Sequence, residues 1–160
     1  MWSGIAGLPA PPLDRVRWIG SDGEECAPLS LGDLGGGVRI LFFFQDDCGG
    51  SHEHGFPALV RLVDALGDRN VGFTAIQTVF TAPDRNTFER VRENHKRYGL
   101  PIPYGHAVAE GEAEAPALMD AYRAGGTPWF VVVSPEGRVV LDGFEIDVNA
   151  LVRAIEPIAA

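Results

Sequence analysis

A cysteine followed closely by two histidines is the part of this sequence best suited to chemistry. Residues 42–54 read FFFQDDCGGSHEH, so Cys48 ends an apolar run and His52 and His54 come soon after it. A thiolate is a nucleophile and a metal ligand, and an imidazole can exchange a proton near neutral pH. The segment therefore predicts thiol chemistry at Cys48, with metal binding as an alternative.

The reactivity of this cysteine depends on the two elements that flank it. The continuous apolar run VRILFFF, residues 38–44, predicts a strand buried on both faces. From about Ser51 to Leu66 apolar residues recur at helical spacing, and Pro57 is predicted to kink that helix. A thiol between such a strand and helix lies at the positive end of the helix dipole, which favours the thiolate.

Two acids next to the cysteine are expected to oppose the dipole. Asp46 and Asp47 precede Cys48 directly, and nearby negative charge raises the pKa of a thiol. We favour a reactive Cys48. The alternative is a small, half-buried thiol without chemistry.

The spacing of Cys48 and His52 also permits a metal site. The two residues are four positions apart and would share one helix face, and a thiolate with imidazoles suits copper or zinc. A structural zinc site takes four ligands, however, and only two or three are near. We therefore expect no bound metal and no other cofactor, with His52 serving as a proton donor or acceptor beside Cys48, or only as a polar residue of the first helical turn.

The rest of the chain predicts an α/β sandwich with a mixed sheet. The order is an N-terminal hairpin, β, α, β, α, short α, β, β, α, in which VRILFFF and VGFTAIQTV should be central and parallel. PWFVVVS and RVVLDGF, joined by a turn, should be antiparallel. Asn86 and Glu89 have the spacing of a capping box, and Asp147 is the expected N-cap of the last helix. His106 is assigned to a loop.

Length and charge narrow the classes of partner. The 160 residues predict one domain, 1–160, with a Pro-rich lead-in at 1–15. The net charge is −9 and the bases do not cluster, which disfavours nucleic acid and anionic membrane surfaces. No apolar run approaches a bilayer span, and MWSGIAGLPAPPLD lacks the basic start of a secretory signal, so we expect no membrane span and a cytoplasmic location.

The order of elements around Cys48 and the segment Gly126-Thr127-Pro128 resembles the thioredoxin superfamily. It is most similar to the TlpA-like thiol-disulfide reductases of the redoxin branch, over about residues 16–158. The resemblance implies a thioredoxin-like three-layer sandwich, with a mixed central sheet flanked by helices and the N-terminal β-hairpin as an extension.

The resemblance also assigns roles to individual residues. It implies that Cys48 is the nucleophile and that Thr127–Pro128 is a cis peptide facing it, with Gly126, Thr127 and Pro128 lining the substrate site. Ser51 stands where the family has its second, resolving cysteine. A hydroxyl cannot close a disulfide, so a dithiol cycle within this motif is excluded.

The sequence therefore predicts a thiol oxidoreductase that uses one cysteine. Its expected partners are a disulfide, peroxide or small-thiol substrate and an external thiol reductant. Peroxide is the weaker choice, because Gln45 occupies the position where peroxiredoxins have Thr or Ser. Cys26 is expected to be a packed thiol rather than a resolving one. The alternatives are a redox-inactive binding module that uses the cis-proline groove, and a metal carrier that uses Cys48 and His52.

Overall fold

The computed structural model describes residues 3–159, which form one sheet and flanking helices. The strands are β1 (Arg17–Ile19), β2 (Glu25–Cys26), β3 (Val38–Phe44), β4 (Val71–Val79), β5 (Tyr104–Val108), β6 (Trp129–Val133) and β7 (Val139–Gly143). The helices are α1 (Phe56–Leu66), α2 (Phe88–Tyr98), α3 (Ala117–Ala121) and α4 (Val148–Ile155). None of the helices within residues 3–159 is long and apolar enough to cross a bilayer.

The strands lie in the order β2-β1-β5-β4-β3-β6-β7. Strands β3, β4 and β5 run parallel to one another, whereas β1 pairs antiparallel with β5 and β6 pairs antiparallel with both β3 and β7. The prediction of a mixed sheet with two central parallel strands and a C-terminal hairpin is confirmed. The N-terminal hairpin also forms, and it extends the sheet at its β5 edge.

Strand β3 contributes to a hydrophobic core on each face of the sheet, which explains its apolar run from Ile40 to Phe44. Phe42 and Phe44 pack with α1 and α4 on one face. Leu41 and Phe43 pack on the other face with α3 and the N-terminal segment. Two helix-bearing layers therefore enclose the sheet, as a three-layer sandwich requires.

The helix after Cys48 opens with a wide turn. Residues Ser51–Gly55 are π-helical, and the Phe56 N–H donates to the Ser51 carbonyl before α1 continues. Pro57 has no N–H to close an ordinary helical bond to Glu53, so an irregular turn ahead of it is the expected response. The structure shows this π-turn ahead of Pro57, where the sequence predicted a kink.

Two local assignments differ from the prediction. The N-cap of α2 is Thr87, whose side chain accepts from the Arg90 N–H, and not Asn86. Asn86 is buried and binds Asp47 instead. His106 lies in β5 rather than in a loop, because its segment pairs with β4.

The lead-in is part of the fold over its described residues. The Gly7 N–H donates to the Val139 carbonyl at 2.7 Å, and the Val139 N–H donates to the Leu8 carbonyl at 2.9 Å. Ile5 and Leu13 are buried in the hydrophobic core that contains Leu41 and Phe43. The segment thus pairs with the start of β7 at Val139, whose backbone groups would otherwise be unpaired on that edge. Residues 1 and 2 of the predicted lead-in lie outside the described residues.

Candidate active site

Cys48 lies just beyond the carboxyl end of β3, where helical backbone begins at Gly49. The Cys48 N–H donates to the Gln45 carbonyl and the Ser51 N–H donates to the Cys48 carbonyl, each at 3.1 Å. These bonds make a tight connection from strand to helix. They leave the thiol half-buried at the helix start, as the sequence predicted for its position.

The thiol faces the segment that precedes β6. The Cys48 Sγ donates to the Thr127 carbonyl oxygen at 3.3 Å. The Thr127–Pro128 peptide bond is cis, the isomer that the resemblance implies. A Cβ atom placed on Gly50 would lie 3.3 Å from Pro128 Cδ and 4.0 Å from Cys48 Sγ, so Pro128 closely neighbours the thiol. The structure therefore brings Cys48, Thr127 and Pro128 together.

Ser51 forms the inner wall of this site. Its side chain is fully buried, and its hydroxyl oxygen meets no hydrogen-bond partner at bonding geometry within residues 3–159. Burial alone would raise the pKa of the Cys48 thiol, but the proximity of the Ser51 hydroxyl, the Thr127 side chain and the backbone N–H groups of Ser51 and Gly50 favours the thiolate and lowers that pKa below its ordinary value. A hydroxyl without another acceptor is suited to donate to a thiolate, since charged acceptors form the stronger hydrogen bonds.

The two acids before Cys48 do not act as predicted, because their carboxylates are bound elsewhere. Asp46 Oδ1 accepts from Asn94 at 2.9 Å and its Oδ2 lies 3.7 Å from Arg90. Asp47 Oδ1 accepts from Asn86 at 2.8 Å. Amide donors and arginines compensate these charges, and the pKa of Cys48 is lowered even though two acids that were expected to oppose the helix dipole precede it.

Both ring nitrogens of His52 have hydrogen-bond partners other than the thiol. Its Nδ1 lies 2.6 Å from the Tyr98 hydroxyl and its Nε2 lies 2.7 Å from the Asp46 carbonyl oxygen. Its ring lies beside the rings of Phe56 and Tyr98, which stack on each other at 4.0 Å, with centroid distances of 5.7 Å to Phe56 and 6.0 Å to Tyr98. Both ring nitrogens are therefore engaged, and the structure assigns His52 to supporting the loop rather than to proton exchange with Cys48.

The same contacts bear on metal binding. With both nitrogens of His52 bonded, Cys48 and His52 do not present a shared pair of ligands. No group of three or more His, Cys, Asp or Glu side chains in the described part of the chain is arranged to hold a metal ion.

Cys26 is remote from Cys48. It lies on β2, four strand positions from β3 in the sheet, which corresponds to about 19 Å at about 4.8 Å per strand. Its thiol is partly covered by apolar residues, and burial raises its pKa. The two cysteines cannot form a disulfide in this arrangement.

A cleft of about 660 Å³ adjoins the proline segment. Phe144, 48% exposed, forms one wall and packs edge-on against Trp129 at 4.9 Å between ring centroids. A Cβ on Gly125 would lie 2.9 Å from the Phe144 ring, and Gly126 has a φ of 153°. The two glycines thus let this aromatic ring lie against the backbone that leads to Thr127.

Polar residues near the end of β4 fix the Cys48 loop, a role that was not predicted from the sequence. Gln77 accepts from the Asp46 N–H at 2.8 Å, and Gln45 accepts from the N–H groups of Phe80 and Thr81 at 2.9 and 3.1 Å. Asparagines 86 and 94 hold the two aspartates. A usable signal existed, because Gln77 is the one amide side chain in a strand whose other residues are apolar, glycine or threonine. Buried amides of this kind are found where they have partners.

The sequence matches no protein-family model and no curated protein. Solved structures do match. A thioredoxin-like superfamily protein is 24% identical with a TM-score of 0.80, covering 93% of this chain and 96% of the other. A thiol-disulfide isomerase from Corynebacterium glutamicum is 24% identical with a TM-score of 0.76, covering 91% and 96%.

A third match extends over the whole chain. The thioredoxin domain of a thiol-disulfide oxidoreductase from Bacteroides vulgatus is 18% identical with a TM-score of 0.69, covering 100% of this chain and 99% of the other. At these identities the likeness concerns the fold. The chain has the thioredoxin-like α/β fold, with Cys48 and the Thr127–Pro128 segment facing each other at one end of its mixed sheet.

Proposed function

We propose that the protein is a thiol oxidoreductase that acts through Cys48 alone. The observation that carries this proposal is the environment of the thiol. The Cys48 sulfur lies 3.3 Å from the Thr127 carbonyl oxygen, and the buried Ser51 hydroxyl helps to lower the pKa of the thiol. Ser51 occupies the position where a dithiol cycle would need a second sulfur. A lowered thiol pKa increases the fraction of thiolate, the reactive form, near neutral pH.

The proposed reaction is thiol-disulfide exchange in two steps. The Cys48 thiolate attacks one sulfur of a substrate disulfide, forming a mixed disulfide and releasing the other sulfur as a thiolate, which takes a proton from water. An external thiol, deprotonated, then attacks the mixed disulfide. It carries the bound substrate half away as a new disulfide and regenerates the Cys48 thiolate.

Different hydrogen-bond partners serve the two protonation states of the thiol. The neutral thiol donates to the Thr127 carbonyl. After deprotonation, the Ser51 hydroxyl and the N–H groups of Gly50 and Ser51 stabilise the sulfur. The sulfur therefore has hydrogen-bond partners both before and after it loses its proton.

The substrate class we propose is a disulfide between small thiols or on a peptide. The printed names of two structural neighbours, a thiol-disulfide isomerase and a thiol-disulfide oxidoreductase, support this class. We place the protein in the TlpA-like branch on the same sequence features that suggested it. Reduction of peroxide is the weaker version, because Gln45, three residues before Cys48, is occupied by bonds to Thr81 and its neighbouring backbone.

The test is whether a mixed disulfide forms on Cys48 and persists. The Cys26→Ser protein, which keeps only one thiol, is incubated with oxidised glutathione and analysed by intact and peptide mass spectrometry. We expect one glutathione on Cys48 that remains until dithiothreitol is added. The Cys48→Ser variant, with Cys26 intact, is the matched control and should stay unmodified under the same conditions.

Two results would contradict the proposal. One is an unmodified Cys48 together with modification of Cys26 in the Cys48→Ser control, which would favour the redox-inactive binding module. The other is catalytic reduction of insulin by the wild-type protein at the rate of a dithiol enzyme.

A further inference from the structure

We propose that Asn86 is a positioning residue that holds the Asp47 carboxylate on the side of β3 opposite to the Cys48 sulfur, with Arg85 completing the restraint. The inference rests on the proposed function in taking Cys48 as the reacting group. It assigns a role to a residue that touches neither substrate nor sulfur.

The contacts of Asn86 support this role. It is 1% exposed, its Nδ2 donates to Asp47 Oδ1 at 2.8 Å, and its Oδ1 accepts from the Asp47 N–H at 3.0 Å. The same Nδ2 lies 3.0 Å from the Thr81 carbonyl oxygen and 3.3 Å from that of Ala82. Asn86 therefore binds both the backbone and the carboxylate of Asp47, and is itself anchored to the segment that follows β4.

Arg85 supplies the opposite charge from outside. Its Nη2 lies 3.2 Å from Asp47 Oδ2, and its side chain is 72% exposed while that of Asp47 is 23% exposed. The two carboxylate oxygens of Asp47 thus have separate partners, an amide on one oxygen and a guanidinium on the other.

The order of strands in the sheet explains why the contacts of Asn86 and Arg85 keep the Asp47 carboxylate away from the Cys48 sulfur. Strand β3 lies between β4 and β6. The Asp47 carboxylate is bound by residues that follow β4, whereas the Cys48 sulfur is bound by Thr127, which precedes β6. Adjacent residues therefore face opposite neighbours. A released Asp47 carboxylate could turn toward the sulfur, and a nearby negative charge disfavours a thiolate.

Other charged groups around the loop are already accounted for. Asp46 is bound to Asn94 and faces Arg90, both on α2. His52, in the π-turn, has both nitrogens bonded, and the exposed Glu53 carboxylate lies 3.9 Å from His54 Nε2. The segment that faces the sulfur, residues 127 and 128, carries no charge. Of the carboxylates near Cys48, Asp47 is therefore the one that Asn86 binds.

The experiment measures the pKa of Cys48 from the pH dependence of iodoacetamide alkylation in the Cys26→Ser background. We expect Asn86→Ala to raise this pKa by about 0.5–1, which corresponds to about three- to tenfold slower alkylation at a fixed pH below the pKa. Addition of Asp47→Asn to Asn86→Ala should restore the original value, because no charge is left to misplace.

The rescue separates positioning from a general structural role. Asn94→Ala is the matched control, since Asn94 is equally buried at 1% and binds the neighbouring Asp46. Asp47→Asn should not correct any change that Asn94→Ala causes. An unchanged pKa in Asn86→Ala, or a change that Asp47→Asn leaves in place, would overturn the proposal.

A surface variant covers the case in which Asn86→Ala does not fold. Arg85→Gln removes an exposed side chain, and we expect a smaller rise in the Cys48 pKa at low salt that Asp47→Asn abolishes. No rise at low salt would then reject the proposal. Alkylation needs no disulfide substrate, so this pattern can appear even if no glutathione adduct forms, and the two proposals fail separately.

Discussion

The hydroxyl of Ser51 is buried beside the thiol of Cys48 and helps to lower the pKa of that thiol. Elsewhere among residues 3–159 this oxygen has no hydrogen-bond partner. A buried hydroxyl without a partner is costly for folding, so its placement here is best explained by the charged form of its neighbour. Ser51→Ala removes this oxygen and Ser51→Cys replaces it with sulfur, and the two substitutions should have different effects on Cys48.

The first prediction concerns Ser51→Ala. A hydrogen bond to a charged group contributes about 1.5 kcal/mol or more, so we expect the pKa of Cys48 to rise by about 1. The free energy of unfolding should change by less than about 1 kcal/mol, because the hydroxyl has no other partner to lose. Alkylation against pH and urea unfolding measure the two quantities. A large loss of stability with an unchanged pKa would show that Ser51 serves packing alone.

The second prediction concerns Ser51→Cys, which restores a second sulfur close to the first. This variant should close a disulfide between Cys48 and the introduced thiol. It should also gain slow, catalytic reduction of insulin with dithiothreitol, while the wild type shows none above background. The gain should be modest, because no buried acid lies within β3 or β4 to relay protons. The Cys26→Ser form of each protein is the control that excludes the remote thiol.

The predictable part of this site is the part that depends on neighbouring residues. Strand β3 was predictable because apolar residues on both faces leave one interpretation, and the position of Cys48 at its end follows from it. The N-cap Asp147 was predictable for the same local reason, since its side chain accepts from Ala150 only three residues away. The resemblance added the Thr127–Pro128 segment.

The rest of the site depends on partners that only the folded chain brings close. Asn86 was expected to cap α2, but it binds Asp47, 39 residues earlier, and Thr87 takes the cap. Asp46 meets Asn94 across 48 residues. Either Asn or Thr can cap a helix, so local pattern could not choose between Asn86 and Thr87. The same long-range contacts supply partners for the carboxylates of Asp46 and Asp47, which the local sequence did not indicate.

The third prediction concerns pH and His106. Burial lowers the pKa of His106 from 6.5 to about 4, and its Nδ1 lies 3.2 Å from Gln77 Nε2, so the neutral ring accepts that bond. The unfolded chain takes up the proton first as pH falls. The contribution of neutral His106 to the free energy of unfolding is therefore complete above about pH 6.5 and is lost progressively as the pH falls to about 4.

The measurement for His106 is urea unfolding of the wild type and of His106→Asn between pH 4 and 7.5. The Asn side chain can still accept from Gln77 but does not titrate in this range. On acidification we expect the free energy of unfolding of the wild type to fall by about 1–2 kcal/mol more than that of the variant. This is less than the full pKa difference would give, because the ring is partly exposed to solvent. Parallel pH profiles for the two proteins would contradict the assignment.

The fourth prediction concerns the close approach of the helix to the proline segment at Gly55. A Cβ atom there would lie 2.7 Å from Phe42 Cζ and 2.8 Å from Pro128 Cβ, both distances too short for a real contact. Gly55→Ala must therefore displace the core ring, the proline, or both. We expect a loss of about 1–3 kcal/mol in the free energy of unfolding. Slower glutathione adduct formation on Cys48 should accompany it, because Pro128 borders the thiol.

Gly49→Ala is the matched control for Gly55→Ala, since it adds the same methyl group at the same end of the helix. Gly49 is exposed, and the nearest atom to its added Cβ is Glu53 Oε1 at 3.8 Å, an ordinary contact. Its stability and its rate of adduct formation should stay close to those of the wild type. Equal effects of the two substitutions would mean that the Pro128 contact does not govern the site. A Gly55→Ala protein that is destabilised yet reacts at the wild-type rate would limit Gly55 to core packing against Phe42.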